Sequence, residues 1–242
     1  LPITASSCYA RGDGRDLKAN GRFTYTLPEA IGMRSADLKG IDAIVNEGIK
    51  SQAYPGCEVL VAVDGQVVMN KAYGYTTYEK KRAVQPSDIY DLASVTKVAG
   101  TTLALMHLVD EGKLDLDKQL GHYLPEIESD RAAHARMHLR DILTHQAGLK
   151  AFVPFYTKLL KDGKLRTELV SDSATENYNV RLAQDLYIPQ AYKDSMVTWV
   201  LQTPLGKKGE YLYSDMGYYL LQEVVERLSG MPLDRYVSTT FY

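Results

Sequence analysis

Apolar residues fall into four patterned stretches along the chain, and each predicts an element. The first opens at Ser35, placed to cap a helix whose Leu38, Ile41, Ile44, Val45 and Ile49 recur at intervals of one to four residues. Residues at that spacing share one side of a helix, so this helix buries one face. After Tyr54-Pro55-Gly56 the period changes. Cys57 to Val63 is rich in β-branched residues, Asp64-Gly65 is a favoured two-residue hairpin turn, and Gln66 to Tyr73 runs back. A lone hairpin is marginal in water, and no second strong strand pair follows, so something else has to complete this sheet. A third pattern starts at Ser94 and runs through Val98, Leu103, Leu105, Met106, Leu108 and Val109 to a stop at Gly112. Its apolar residues nearly encircle the helix, which predicts a place at the centre of a domain. The last strong helix runs from about Gly217 to Ser229, carries Leu220, Leu221, Val224, Val225 and Leu228, and ends at Gly230.

Between these stretches the pattern weakens. Leu114 to Pro125 reads as turns, and a short helix begins near Leu139, contains Ile142 and Leu143, and ends at Gly148. Residues 150–200 mix Lys and Asp with Phe152, Phe155, Tyr156, Tyr187, Tyr192 and Trp199 without a long periodic run, as in a segment that covers a site or a neighbouring domain. Residues 1–28 have little periodicity, and Arg11-Gly12-Asp13-Gly14-Arg15-Asp16 is too polar to pack. They read as a linker or the tail of a preceding domain, which leaves 29–242 as one folded domain. The Arg-Gly-Asp triplet within them reads as a solvated turn.

Composition narrows the class. At 242 residues, 45% hydrophobic and 24% charged, the chain can build one large core or two smaller ones. A net charge of -2, with no run of Lys and Arg, argues against nucleic acid as a partner. No apolar stretch approaches the ~20 residues of a transmembrane helix. Cys8 and Cys57 can pair or stay free, and free thiols are favoured because Cys8 lies in the unpatterned opening. The chain begins at Leu1 without a charged-then-apolar signal segment, so its native start is expected upstream.

Candidate chemistry centres on Asp91-Leu92-Ala93-Ser94-Val95-Thr96-Lys97, where a turn-rich segment gives way to a helix. Residues three apart on a helix face the same way, so the Ser94 hydroxyl and Lys97 amine can come within hydrogen-bond reach. A serine hydroxyl needs a partner that takes its proton before it attacks. Unpaired N–H groups of the helix start add a place for an oxyanion. Ser-x-x-Lys alone is a weak pattern that an ordinary capped helix also produces.

Two more segments make it specific. Arg140-Asp141-Ile142-Leu143-Thr144-His145-Gln146-Ala147-Gly148-Leu149 and Tyr213-Ser214-Asp215-Met216-Gly217-Tyr218 follow Asp91 to Pro125 in an order that resembles the serine β-lactamase and penicillin-binding superfamily. The resemblance is to its class C-type branch, which also holds esterases and D-amino-acid peptidases, and it covers about residues 33–242. It implies an α+β fold, in which an all-helical lobe centred on the Ser-x-x-Lys helix packs against an antiparallel sheet begun by the Asp64-Gly65 hairpin. It implies Ser94 as the acylated nucleophile, Lys97 as its proton-relay partner, Tyr213 as the phenol of the Tyr-x-Asn motif, and no cofactor or metal. A phenol must lose about three pKa units to act as a base near neutrality, roughly 4 kcal/mol, and a neighbouring ammonium can supply much of that.

The chain departs from that pattern twice. Asp215 stands where the branch usually has Asn, at a substrate-binding position. A carboxylate cannot donate to a substrate carbonyl, holds Lys97 protonated so that Tyr213 takes the base role, and repels a carboxylated β-lactam. The expected substrates are therefore esters or amides other than penicillins. In addition, Tyr242 is reached before the family's third motif, a strand carrying Lys or His followed by Thr/Ser-Gly. The expectation is a fragment with an incomplete sheet and little hydrolysis of its own, since losing one oxyanion donor costs about 10²–10³ in rate.

Leu1-Pro2-Ile3-Thr4-Ala5-Ser6 with its Gly-rich turn resembles the close of family 3 glycoside hydrolases, some of which join a β-N-acetylglucosaminidase-like enzyme to a β-lactamase-like domain. That resemblance implies fusion to such an enzyme, an exported cell-envelope setting in the periplasm or outside the cell, and a small-molecule, cell-wall peptide or amino-sugar substrate. His134 and His138 have zinc spacing, but Ala135 stands where a metalloprotease has Glu, and a surface helix is the reading. His145 takes a structural hydrogen-bonding role. Two function classes remain: a serine hydrolase working through an acyl-enzyme, and a catalytically silent accessory domain that positions a fused glycosidase through the aromatic 150–200 segment.

Overall fold

The computed structural model describes residues 23–127 and 132–242. The readings placed on residues 1–22, namely most of the linker, the Arg11-Gly12-Asp13 turn, Cys8 and the glycosidase-like opening, lie outside the described residues. The chain divides after Asp91 into two compact units.

In the first unit, strands β2 (Gly56–Val63) and β3 (Gln66–Gly74) pair antiparallel around Asp64 and Gly65, as their alternation and turn predict. Both turn residues have positive φ, 49° and 78°, the conformation a tight hairpin turn demands. Strand β1 (Thr24–Tyr25), in the stretch read as linker, adds parallel to β3 and gives the order β1-β3-β2. Helix α1 (Ser35–Lys50) packs on β3, with Val45 buried and Ile44 left 70% exposed. Asp42 on α1 accepts from Lys71 and from the Tyr73 hydroxyl, both at 2.6 Å, and burial together with that bond pushes the Tyr73 phenol up to about 12. Ser35 is not the cap that the sequence predicts. Its own N–H, one of the orphan donors of a helix start, is taken by the Glu29 carboxylate at 2.8 Å. Cys57 is a free thiol.

The second unit is helical. It comprises α2 (Leu103–Asp110), α3 (Leu120–Tyr123), α4 (Ala132–Ala135), α5 (Leu139–Leu143), α6 (Gln190–Leu201), α7 (Met216–Ser229) and α8 (Leu233–Thr240). Two small hairpins interrupt it, β4 (Leu160–Lys161) with β5 (Lys164–Leu165) and β6 (Val180–Ala183) with β7 (Leu186–Ile188). These hairpins are weak pairs beside β2–β3, and the expectation that no second strong strand pair follows stands. Their strands are only two to four residues long, too short to show a period.

Helix α7 lies at the heart of this unit, with Leu220, Leu221, Val224 and Val225 at 0% exposure. Burying each such side chain contributes about 1.5–3 kcal/mol. The helical stretch after Ser94 is less enclosed than its apolar residues suggest. Helices α7 and α8 cover one side, where Ala104, Leu105 and Leu108 are buried, while Val95, Val98 and Met106 are 57%, 64% and 61% exposed. His134 and His138 do not share a helix face. Helix α4 stops at Ala135, and His138 pairs in a bridge with Gln119. His134 is buried rather than at the surface. Among the described residues, no cluster of three or more His, Cys, Asp or Glu could hold a metal, and no helix is long and apolar enough to cross a membrane.

Candidate active site

Ser94 stands exposed at the head of the second unit's first helix. Just before it, Ala93 has φ 43°, an uncommon left-handed value for a residue with a side chain. Tight turns follow: the N–H groups of Val95, Thr96 and Lys97 bond the carbonyls of Leu92, Ala93 and Ser94 at 2.9, 3.1 and 3.1 Å. First-turn N–H groups are the expected place for an oxyanion, but these three already bond backbone carbonyls. Ser94's own N–H is the candidate that remains among the described residues. From Lys97 to Thr102 the helix widens into a π-type turn, and Thr102 Oγ1 donates to the Lys97 carbonyl at 2.8 Å. Such turns recur at functional sites.

The widened turn presents Lys97 to three groups at once. Its Nζ donates to Ser94 Oγ at 3.0 Å and to Asp215 Oδ1 at 2.5 Å, and it lies 5.0 Å from the Tyr213 ring centroid. The Lys97 side chain is 14% exposed. Burial alone would lower its pKa, but hydrogen bonds to Asp215 and Tyr213 outweigh burial and raise it. Lys97 therefore stays an ammonium at neutral pH and cannot take a proton from Ser94.

Tyr213 differs: the Ser94 hydroxyl and the Lys97 ammonium beside it lower the phenol's pKa, against burial and the opposing charge of Asp215. The structure brings together all four residues singled out from sequence, Ser94, Lys97, Tyr213 and Asp215. It also gives Asp215 a definite partner, because its carboxylate is directed at Lys97.

A backbone ladder holds the Tyr213-Ser214-Asp215 turn in place. Gly206, Gly209 and Leu212 N–H groups donate to the Gly148, Gln146 and His145 carbonyls at 2.7, 2.8 and 2.9 Å. Ser214 Oγ donates to the Lys150 carbonyl at 2.6 Å, and the Asp215 N–H to that of Ala151 at 2.9 Å. His145 closes the ladder with its side chain, since Nδ1 accepts the Ser214 N–H at 3.1 Å. Its ring lies 4.5 Å from that of Tyr213 and 5.6 Å from that of Tyr218. A structural hydrogen bond is what the sequence predicts for His145, and Nδ1 makes one. No spacing rule could show that the bond lands on the motif's own backbone.

Comparison with known proteins agrees with this geometry. The beta-lactamase family profile matches residues 41–242. A Salmonella gallinarum protein named "Putative D-alanyl-D-alanine carboxypeptidase" is 30% identical over 232 residues, covering 90% of this chain and 48% of that protein. The chain thus spans about half the length of the curated relatives it matches. Among solved structures, the octameric penicillin-binding protein homologue from Pyrococcus abyssi superposes with a TM-score of 0.61 at 22% identity, covering 85% of this chain and 42% of that one. A class C beta-lactamase from Rhodobacter sphaeroides gives 0.56 at 22% identity, covering 82% and 46%. These likenesses bear on the fold.

Proposed function

The chain belongs to the beta-lactamase family, and from that premise we propose that it is a serine hydrolase domain that cleaves an ester, amide or cell-wall peptide through an acyl-enzyme on Ser94. The observation that carries this reading is the Lys97 ammonium, 3.0 Å from Ser94 Oγ and 2.5 Å from Asp215 Oδ1, beside a phenol whose pKa is lowered. Tyr213 as phenolate takes the Ser94 proton while Oγ attacks the substrate carbonyl, and the resulting phenol returns that proton to the leaving group. Lys97 keeps its own proton throughout and steadies the phenolate and the developing negative charge. Water then attacks the acyl carbonyl, giving its proton to the Tyr213 phenolate, and the phenol returns that proton to Ser94 Oγ as the C–Oγ bond breaks and the acid leaves.

Asp215 sets the substrate class. Its carboxylate gives the site an acidic neighbour where class C-type enzymes carry an amide, which disfavours substrates with a carboxylate close to the scissile bond. A neutral ester, or a peptide whose carboxylate lies away from Asp215, fits better. The carboxypeptidase name of the Salmonella relative supports a cell-wall peptide as the substrate class, and beside Asp215 the favoured form is one whose scissile bond is not next to a free carboxylate. The opening residues Leu1 to Ser6 support fusion to a β-N-acetylglucosaminidase-like enzyme, and with it a periplasmic or cell-envelope setting.

The test compares turnover of a p-nitrophenyl ester, a D-alanyl-D-alanine peptide and nitrocefin by the protein and by Asp215→Asn. The expected order for the native residue is the neutral ester first, with the D-alanyl-D-alanine peptide and nitrocefin behind it, since both carry a carboxylate beside the scissile bond. The substitution is expected to raise nitrocefin acylation about tenfold, equivalent to ~1.4 kcal/mol. Nitrocefin turnover by the native protein as fast as that of dedicated β-lactamases would sink the reading.

A further inference from the structure

His145 makes contacts that the acyl-transfer chemistry does not require of it. It follows α5 at φ 59°, a left-handed value uncommon outside Gly, though His shares with Asn and Asp a greater tolerance of it. Two bonds to one neighbouring turn accompany that conformation: its carbonyl accepts the Leu212 N–H at 2.9 Å, and Nδ1 accepts the Ser214 N–H at 3.1 Å. Leu212 and Ser214 flank Tyr213. The imidazole lies against the Tyr213 ring at 4.5 Å with the planes tilted by 41°.

We propose that His145 is a positioning residue, which holds the Tyr213 phenol over Ser94 by accepting the Ser214 N–H on Nδ1, and which does so only as the neutral imidazole. This rests on the acyl-transfer reading. A nitrogen that accepts an N–H carries no proton, so the neutral ring is protonated at Nε2. Protonating Nδ1 removes the acceptor and places a second cation beside Lys97. The groups that face the ring are the Lys97 ammonium from the nucleophile's helix, the Asp215 carboxylate, Tyr211 and Tyr213 from the preceding turn, and Tyr218 from α7. Burial and the Lys97 charge push the imidazole pKa down, and Asp215 pulls the other way. The net direction keeps His145 neutral at neutral pH. As pH falls through the lowered pKa, the phenol loses its alignment before the fold is lost.

Asn and Gln separate the two ring nitrogens. The amide oxygen of His145→Asn sits where Nδ1 was, and Asn tolerates positive φ, whereas His145→Gln carries its amide toward the Nε2 position. With an activated ester near pH 8, His145→Asn is expected within about threefold of the native rate, and His145→Gln and His145→Ala are expected about 30–100-fold lower. In the native protein, the plot of log kcat/KM against pH is expected to steepen from a slope of about one to about two below the His145 pKa, while His145→Asn stays near one. Thermal melts show that each variant is folded. Ring ¹⁵N shifts provide an arm independent of turnover, with the Nε2–H tautomer expected and a pKa below 6.5. If the native protein shows no Ser94-dependent turnover, the hydrolase reading fails, and the tautomer still decides the contact. An Nδ1–H tautomer, an unchanged acid slope in His145→Asn, or equal rates in His145→Asn and His145→Ala would overturn the proposal.

Discussion

Lys97→Ala is expected to lower ester turnover near neutral pH by about 10³–10⁵-fold while leaving the chain folded. The ammonium is the shared partner of Ser94, Asp215 and Tyr213, so its loss removes the cation that favours the phenolate and leaves Asp215 acting on Tyr213 alone. The phenol then returns toward its ordinary range, and little of it is ionised at pH 7. Turnover by the variant should therefore climb with pH toward about 10, whereas the native rate levels off at lower pH. At the high end the native rate should fall again as Lys97 deprotonates, above the ordinary lysine value because its pKa is raised. Asp215 remains about one-third exposed and can be rehydrated, which is why the fold survives. Lys97→Arg should not rescue the rate, because a planar guanidinium cannot place one donor on each of the ammonium's partners. A pH–rate profile of Lys97→Ala that matches the native one would remove Lys97 from the mechanism.

Gly148→Ala is expected to destabilise the second unit by about 2–4 kcal/mol, a fall of roughly 5–15 °C in Tm. Gly148 has φ 82°, and a Cβ there would sit 2.6 Å from the Gly206 carbonyl oxygen. Both strands of the ladder are backbone at that point, so neither can swing aside as a flexible side chain would. Gly112 supplies the control. It also has positive φ, 72°, but nothing lies within 4 Å of its would-be Cβ, so Gly112→Ala should cost only the strain of the backbone, about 1 kcal/mol. Because the ladder carries His145 and Tyr213, Gly148→Ala should lose turnover before it loses helix content. Equal melting temperatures for the two variants would show that the close approach of Gly148 and Gly206 contributes nothing.

Some elements were legible in the sequence because one signal dominated them. The β2–β3 hairpin combined β-branched residues with Asp64-Gly65, and α7 joined a long apolar stripe to the stop at Gly230. Weaker signals failed for physical reasons. In α6, Tyr192, Met196, Val197, Trp199 and Val200 do keep helical spacing, but Lys193, Asp194 and Ser195 break the run and Pro189 precedes it. Helix α8 has only Leu233, Tyr236 and Val237 to show a face. The β4–β5 hairpin turns at Asp162-Gly163, the same signal as at Asp64-Gly65, but its flanks are Leu160-Lys161 and Lys164-Leu165, which carry no alternation.

The site was half legible. Ser94 and Lys97 are one helical turn apart, so their meeting follows from local geometry. Asp215 is 118 residues from Lys97, and only the family resemblance placed them together. For His145 a structural bond is legible but its partner is not, because the contact depends on a positive φ and on a backbone N–H 69 residues away, neither of which leaves a mark on composition or period.

The central claim is that Ser94 is the acylated atom of a site in which Tyr213 is the base and Lys97 stays cationic. Its most direct test is peptide mapping by mass spectrometry after incubation with a fluorophosphonate ester across a range of pH. The expected result is a single adduct on the peptide that contains Ser94, formed faster as pH rises through the lowered pKa of Tyr213. An adduct on any other residue, or a Ser94 adduct whose rate is indifferent to pH, would contradict it.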